Sequence, residues 1–250
     1  MAYIGTPANI WNVGSNLEYN GVESAYRDFS KEIYMYDDFI SNFSSSAYNW
    51  KSLVGATGSI IMNESALITN THPGIASLHT GVSAFASAAL ELGSDSSANA
   101  IIFGAGRWVI SFIAKLVTLS SSTTRYTATM GFGNNGGTYS TGVSFAYQDN
   151  VNSGNWQLIA STNSTATTTN SSTAADTNWH IFTIDINAAG TLATFYIDNI
   201  SIGTVASNIP TATFACGPNI NIVNQSNSGA ADSIFILDAF QLYGNLTTTR

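Results

Sequence analysis

Between Asn178 and Asn208, apolar side chains recur at every second position, which is the period of a half-buried strand. His180, Phe182, Ile184 and Ile186 share one face of the first run, and Thr183 and Asp185 share the other. Ala193, Phe195 and Ile197 repeat the pattern in a second run. Asn187 to Thr191 carries Gly190 and predicts a hairpin connection. Asp198-Asn199 predicts a tighter turn, because Asn tolerates the positive φ that such turns need. Three antiparallel strands, each apolar on one face, require a second layer to cover them.

The same alternation runs through most of the chain. Ile33, Met35, Asp37 and Phe39 interleave with Tyr34, Tyr36 and Asp38. One or two short strands fall in Ser59 to Thr69, and another in Ile75 to Thr80, after the turn at His72-Pro73-Gly74. Ala84, Ala86, Ala88, Leu90 and Leu92 line one face of a further strand, although its alanines also suit a helix. Arg107 to Leu119 is the strongest strand, with Trp108, Ile110, Phe112, Ala114 and Leu116 in phase. Val109 and Ile113 make its other face partly apolar, so it is expected to be central or covered on both sides. Tyr126, Ala128, Met130 and Phe132 form the next strand, then Val143, Phe145 and Tyr147, then Trp156, Leu158 and Ala160. Ser161 to Asp176 is rich in Ser, Thr and Asn and predicts loop with a plain edge strand over Ala166 to Asn170. Asn219 to Asn224 follows, and then Ser233 to Gly244, where Ile236, Asp238, Phe240 and Leu242 alternate with Leu237, Ala239, Gln241 and Tyr243. Roughly twelve to fourteen short strands without a long helix predict an all-β, two-sheet antiparallel β-sandwich.

The Trp179-His180 strand, the Gly190 loop, and Tyr196-Ile197-Asp198 running on to Gly203-Thr204 resemble the central hairpin of concanavalin A-like (lectin/glucanase, laminin-G-like) jelly-roll sandwiches. The resemblance extends patchily from Ile33 to Gly244 and is nearest to the sandwiches of bacteriophage capsid decoration, head-fibre and tail-fibre proteins. It implies an N-terminal attachment arm, residues 1–32, followed by a sandwich over 33–250. The opening Met-Ala-Tyr-Ile-Gly-Thr-Pro resembles the start of phage fibre proteins, whose N-terminus attaches to the particle; a plain N-terminal strand or tail is the alternative.

Composition narrows the function. Only 9% of the 250 residues are charged, against roughly 25% in ordinary domains. The formal net charge is −8, and Tyr126 to Thr249 holds six acids with no Lys or Arg. Such a surface repels nucleic-acid phosphates and anionic membranes, so neither is expected as a partner. The single cysteine, Cys216, permits no internal disulfide. The opening residues have no basic stretch followed by an apolar one, so no secretory signal is expected. A virion surface protein, made in a host cytoplasm and working outside it, accommodates both observations. The expected partners are capsid or tail proteins gripped by the arm, together with further copies of the chain, a trimer being favoured. Phe235, Val109, Ile113 and Ile159 are apolar residues on the less apolar faces of their strands, suited to burial by a partner or by the arm.

Candidate chemistry is sparse. Glycosidases need two carboxylates about 5 to 9 Å apart, and glucanase relatives carry them as Glu-x-Asp-x-x-Glu. None of Glu18, Glu23, Glu32, Glu64 and Glu91 stands in that spacing. There is no Gly-x-Ser-x-Gly, and His72, His79 and His180 stand apart from any metal motif. No enzyme is expected, and no cofactor beyond calcium. Sandwiches of the resembled class hold calcium where the first and last strands meet, which implies Asp37 or Asp38 with Asp238. A lectin reading needs an exposed aromatic ring beside Asn and Gly. It points to Tyr139, Tyr147, Trp156, Asn134 and Asn135 for a glycan, although Trp156 is also in phase with Leu158 for core packing. The expected role is therefore a non-enzymatic capsid decoration or head-fibre protein, with tail-fibre or glycan-binding lectin as the alternative.

Overall fold

A computed structural model describes residues 28, 30–40, 50–92, 101–134, 140–211, 214–225 and 231–249. These residues contain fifteen strands. In chain order they are β1 (Glu32–Asp37), β2 (Lys51–Gly55), β3 (Ser59–Met62), β4 (Ala76–His79), β5 (Ser87–Glu91), β6 (Gly106–Leu116), β7 (Tyr126–Gly133) and β8 (Gly142–Tyr147). There follow β9 (Asn155–Thr162), β10 (Thr165–Ala174), β11 (His180–Ile186), β12 (Ala193–Ile197), β13 (Ile200–Val205), β14 (Gly217–Asn224) and β15 (Ile234–Leu246). No helix of the described residues is long and apolar enough to cross a membrane.

The strands form two antiparallel sheets packed as a sandwich. One has eight strands in the order β13-β12-β11-β6-β15-β4-β3, with β1 also on β15. The other has seven, in the order β10-β9-β8-β7-β14-β5-β2. The faces that meet are those the alternation marked. Phe145 of β8 reaches across to Phe182 of β11 and Phe195 of β12, with ring centroids 5.3 and 5.1 Å apart and edge-to-face. Trp156 packs on Phe182 at 4.8 Å. Edge-to-face rings fill the interlayer space while setting the positive edge of one ring on the negative face of the next.

Turn chemistry agrees with the sequence. Asp198 and Asn199 both adopt positive φ, +52° and +66°, and join β12 to β13. Gly190, at φ +66°, closes the β11–β12 loop, where its N–H donates to the Asn187 carbonyl. Cys216 is buried with its thiol free, and burial pushes that thiol up to about 12, so it is an inert core residue.

Three expectations change. The register of β15 slips between Leu237 and Ala239 where it pairs with β6, so Asp238 is an extra residue at a bulge. The bulge reverses the phase upstream: Leu237 and Phe235 join Phe240 and Leu242 in the core. Phe235 is thus covered by the sandwich itself and needs no partner. The segment predicted as a short edge strand over Ala166 to Asn170 is the ten-residue β10. Its edge is covered by β13, where Thr169 Oγ1 donates to the Thr204 carbonyl and Asn208 Nδ2 to Thr167 Oγ1. Finally, β1 opens at Glu32, within the stretch expected to be arm.

Candidate binding face

In the eight-stranded sheet, every second residue of the central strands leaves the core and stands on the outer face. One cross-strand row reads Tyr243, Val109, Asp185 and Thr194; the next reads Gln241, Ser111, Thr183 and Tyr196. β1 adds Tyr34 opposite Tyr243 and Tyr36 opposite Gln241. The face therefore has tyrosines toward both margins and small polar residues between them. Three strand steps of about 4.8 Å and an offset of two residues along the strands set the Tyr243 and Tyr196 backbones about 16 Å apart.

Arg107 fixes the middle of this band. Its Nε and Nη2 donate to the two carboxylate oxygens of Asp185 at 2.9 and 2.7 Å, the planar fork that Lys cannot make. Tyr196 and Tyr243 both lie close enough for their charge states to couple with the Arg107 guanidinium. Partial burial pushes the hydroxyls of Tyr36, Tyr196 and Tyr243 above the usual phenol range. They therefore remain protonated and able to donate near neutral pH. Ser111 Oγ and Thr183 Oγ1 meet at 2.8 Å and are buried beneath the band, where they pair with each other. Tyr36 is 41% exposed.

The β15 bulge closes one corner of the face. His72 stacks on Trp179 with ring centroids 4.1 Å apart, and the Lys115 ammonium stands 5.5 Å from the Trp179 centroid. His72 Nδ1 lies 3.0 Å from Asp238 Oδ2. Burial raises the Asp238 carboxyl, the charge of Asp38 adds to this, and His72 opposes it. Asp38 follows the end of β1 and Asp238 lies at the β15 bulge, near enough for the charge of one to bear on the other. Among the described residues, however, no group of three or more His, Cys, Asp or Glu side chains is arranged to hold a metal.

The glycan candidates read from the sequence lie elsewhere. Tyr147 and Trp156 are each 2% exposed in the core, Trp156 against Phe145 and Phe182, so neither offers a face to a sugar. Their alternation put them on the inner face, where an aromatic ring is worth most as packing. Asn134 Oδ1 accepts from Ser140 Oγ and from Thr141 N–H, both at 3.2 Å, and so braces the connection from β7 to β8. Asn135 and Tyr139 lie outside the described residues. Among the described residues, the outer face of the seven-stranded sheet bears no aromatic side chain. Its central row of Ala89, Asn221, Thr129 and Ala146 is small and buried, beside a buried Asn219–Glu91 hydrogen bond of 2.8 Å. The tyrosine band escaped the sequence reading because its members come from strands far apart in the chain.

No family model matches the chain, and no curated protein matches it in sequence. Solved structures share its fold. A protein of unknown function from Shewanella oneidensis MR-1 superposes with a TM-score of 0.65 at 15% identity, over 95% of this chain and 98% of that one. The Emp47p carbohydrate recognition domain gives 0.54 at 11% identity, over 88% and 100%. The botulinum neurotoxin serotype D binding domain gives 0.50 at 16%, over 81% of this chain but only 45% of that one. The chain therefore has the lectin-like β-sandwich fold.

Proposed function

We propose that this chain is a non-enzymatic recognition module of a bacteriophage virion surface, and that the outer face of its eight-stranded sheet takes a glycan of the host surface. One observation carries the reading: tyrosines of β1, β15 and β12 flank the part-exposed Arg107–Asp185 pair, which stands over the buried Ser111–Thr183 contact. Aromatic faces cover the C–H side of a sugar ring, and fixed donors and acceptors address its hydroxyls. The carbohydrate recognition domain among the structural neighbours supports a carbohydrate as the ligand class. The virion setting rests on the hairpin resemblance and on the low-charge, Ser/Thr/Asn-rich composition. Attachment of capsid or tail proteins through residues 1–32, and trimeric assembly, belong to the same proposal.

The test is a glycan array probed with the purified chain, followed by titration of the best ligand. Tyr196→Ala and Tyr243→Ala are expected to weaken binding about tenfold each, near 1.4 kcal/mol, and Trp179→Ala much less. Binding that neither tyrosine variant alters sinks this choice of face. Cosedimentation with empty capsids, in the absence of any glycan binding, would leave a purely structural decoration role.

A further inference from the structure

The tyrosine band has one margin made by a hairpin, β12–β13, and that hairpin is fastened to the sheet by an imidazole. His180 opens β11. Its Nδ1 lies 2.6 Å from Asp198 Oδ2 in the β12–β13 turn, and its Nε2 lies 2.9 Å from Asp176 Oδ1 in the segment leading into β11. Both ring nitrogens thus face carboxylate oxygens from different segments. An imidazolium has two N–H donors and satisfies both, whereas a neutral ring has one and turns a lone pair toward the other carboxylate. The Asp198 carboxylate is itself structural: Oδ1 accepts the Ile181 N–H at 2.9 Å, and the Asp198 N–H donates to the Ile181 carbonyl at 2.9 Å. Tyr196 stands two residues before Asp198 on the same strand, opposite Thr183. A register slip falls beside Tyr196 in its pairing with β13, so β12 is less firmly held from that side.

We infer that the Asp176–His180–Asp198 contact is a proton-operated latch that holds the Tyr196 margin of the band in place at mildly acidic to neutral pH and releases it as the pH rises. The inference rests on the proposed binding face for its functional meaning, but not for its physics. Among the described residues, the charged groups that bear on the ring are these two aspartates; Phe182 stands edge-on to it, 6.0 Å away. Burial works against a charge on His180, but the hydrogen bonds and charges of Asp198 and Asp176 outweigh it and raise the imidazole above its ordinary 6.5. A group raised on folding contributes fully below its unfolded value, and the contribution is lost as pH rises through the folded value. The window therefore opens near 6.5 and extends upward. Each unit of separation between the latched and released values corresponds to about a tenfold change in the opening equilibrium.

Amide hydrogen exchange on the full chain, corrected for the intrinsic pH dependence of exchange, reads the latch without any ligand. Between pH 6 and pH 9, protection of the amides of Tyr196 to Val205 is expected to fall several-fold while that of β7 and β8 stays constant. Asp176→Asn leaves the turn's backbone contacts in place and should move the transition to lower pH. His180→Gln should abolish it. A ring titration followed by NMR covers the case in which His180→Gln does not fold: a midpoint above that of the unfolded chain is expected. Protection independent of pH in the wild type, a transition that survives in His180→Gln, or a His180 midpoint at or below the unfolded value would each overturn the latch. None of these readouts depends on a glycan, so the latch and the binding face can fail separately.

Discussion

Asp149 is the residue on which one end of the seven-stranded sheet is pinned. It accepts from Arg125 Nε and Nη2, both at 3.0 Å, and from Ser120 Oγ at 2.7 Å. The Ser120 hydroxyl oxygen in turn accepts the Tyr126 N–H, so the carboxylate orders the start of β7. The hydrogen bond from Arg125 is the main reason its carboxyl stays below the ordinary 3.8, with burial acting the other way. A carboxylate depressed on folding contributes stability above its unfolded value and loses it as pH falls through the folded one. Acid unfolding followed by denaturant midpoints should therefore steepen below about pH 4 in the wild type and flatten in Asp149→Asn. At neutral pH the same variant should be less stable than the wild type, since the Arg125 guanidinium loses its charged partner. An unchanged acid limb would mean that other carboxylates govern it.

At the scale of the element, the β12–β13 turn gives the cleanest test of local geometry. Asn199 sits at φ +66°, a conformation that costs most residues about 1 to 2 kcal/mol. Asn199→Val should lose at least that much in a urea titration, while Asn199→Gly should be close to neutral. This turn, the Gly190 loop and the inner faces of β6, β7, β8 and β11 were legible in the sequence, because side-chain period and turn residues are local signals. The β15 bulge was not. An extra residue is defined only by the partner strand, so alternation alone put Phe235 on the less apolar face of its strand. Tyr147 and Trp156 show the same limit in another form. Their phase was readable, but whether an aromatic ring at that phase meets a sugar or another ring depends on the opposing sheet.

For the whole molecule, the candidate binding face was the least legible part. Tyr36, Tyr196 and Tyr243 become neighbours only through the order β12-β11-β6-β15-β1, which joins strands from both ends of the described chain. No spacing rule connects them. The charge pattern carried further: the stretch without Lys or Arg that begins at Tyr126 supplies β7 to β15. Arg107, on β6, lies before that stretch, and the fold brings it to Asp185 within it.

The position of β15 has a consequence for how the protein is made. It follows every other strand in the sequence, yet it lies inside the eight-stranded sheet, bonded to β6 on one side and to β4 and β1 on the other. While the ribosome is still translating, β6 has only β11 beside it, and β1 and β4 have no central strand to join. Closure of this sheet therefore waits until residue 246 has left the exit tunnel, and the slowest contacts to form are also those most distant in sequence. Stalled nascent chains that end before Ile234 should be cut rapidly by protease, and chains lengthened by a C-terminal linker that carries Leu246 clear of the tunnel should resist. Equal resistance in both would place folding on the ribosome, ahead of the strand that joins the halves of this sheet.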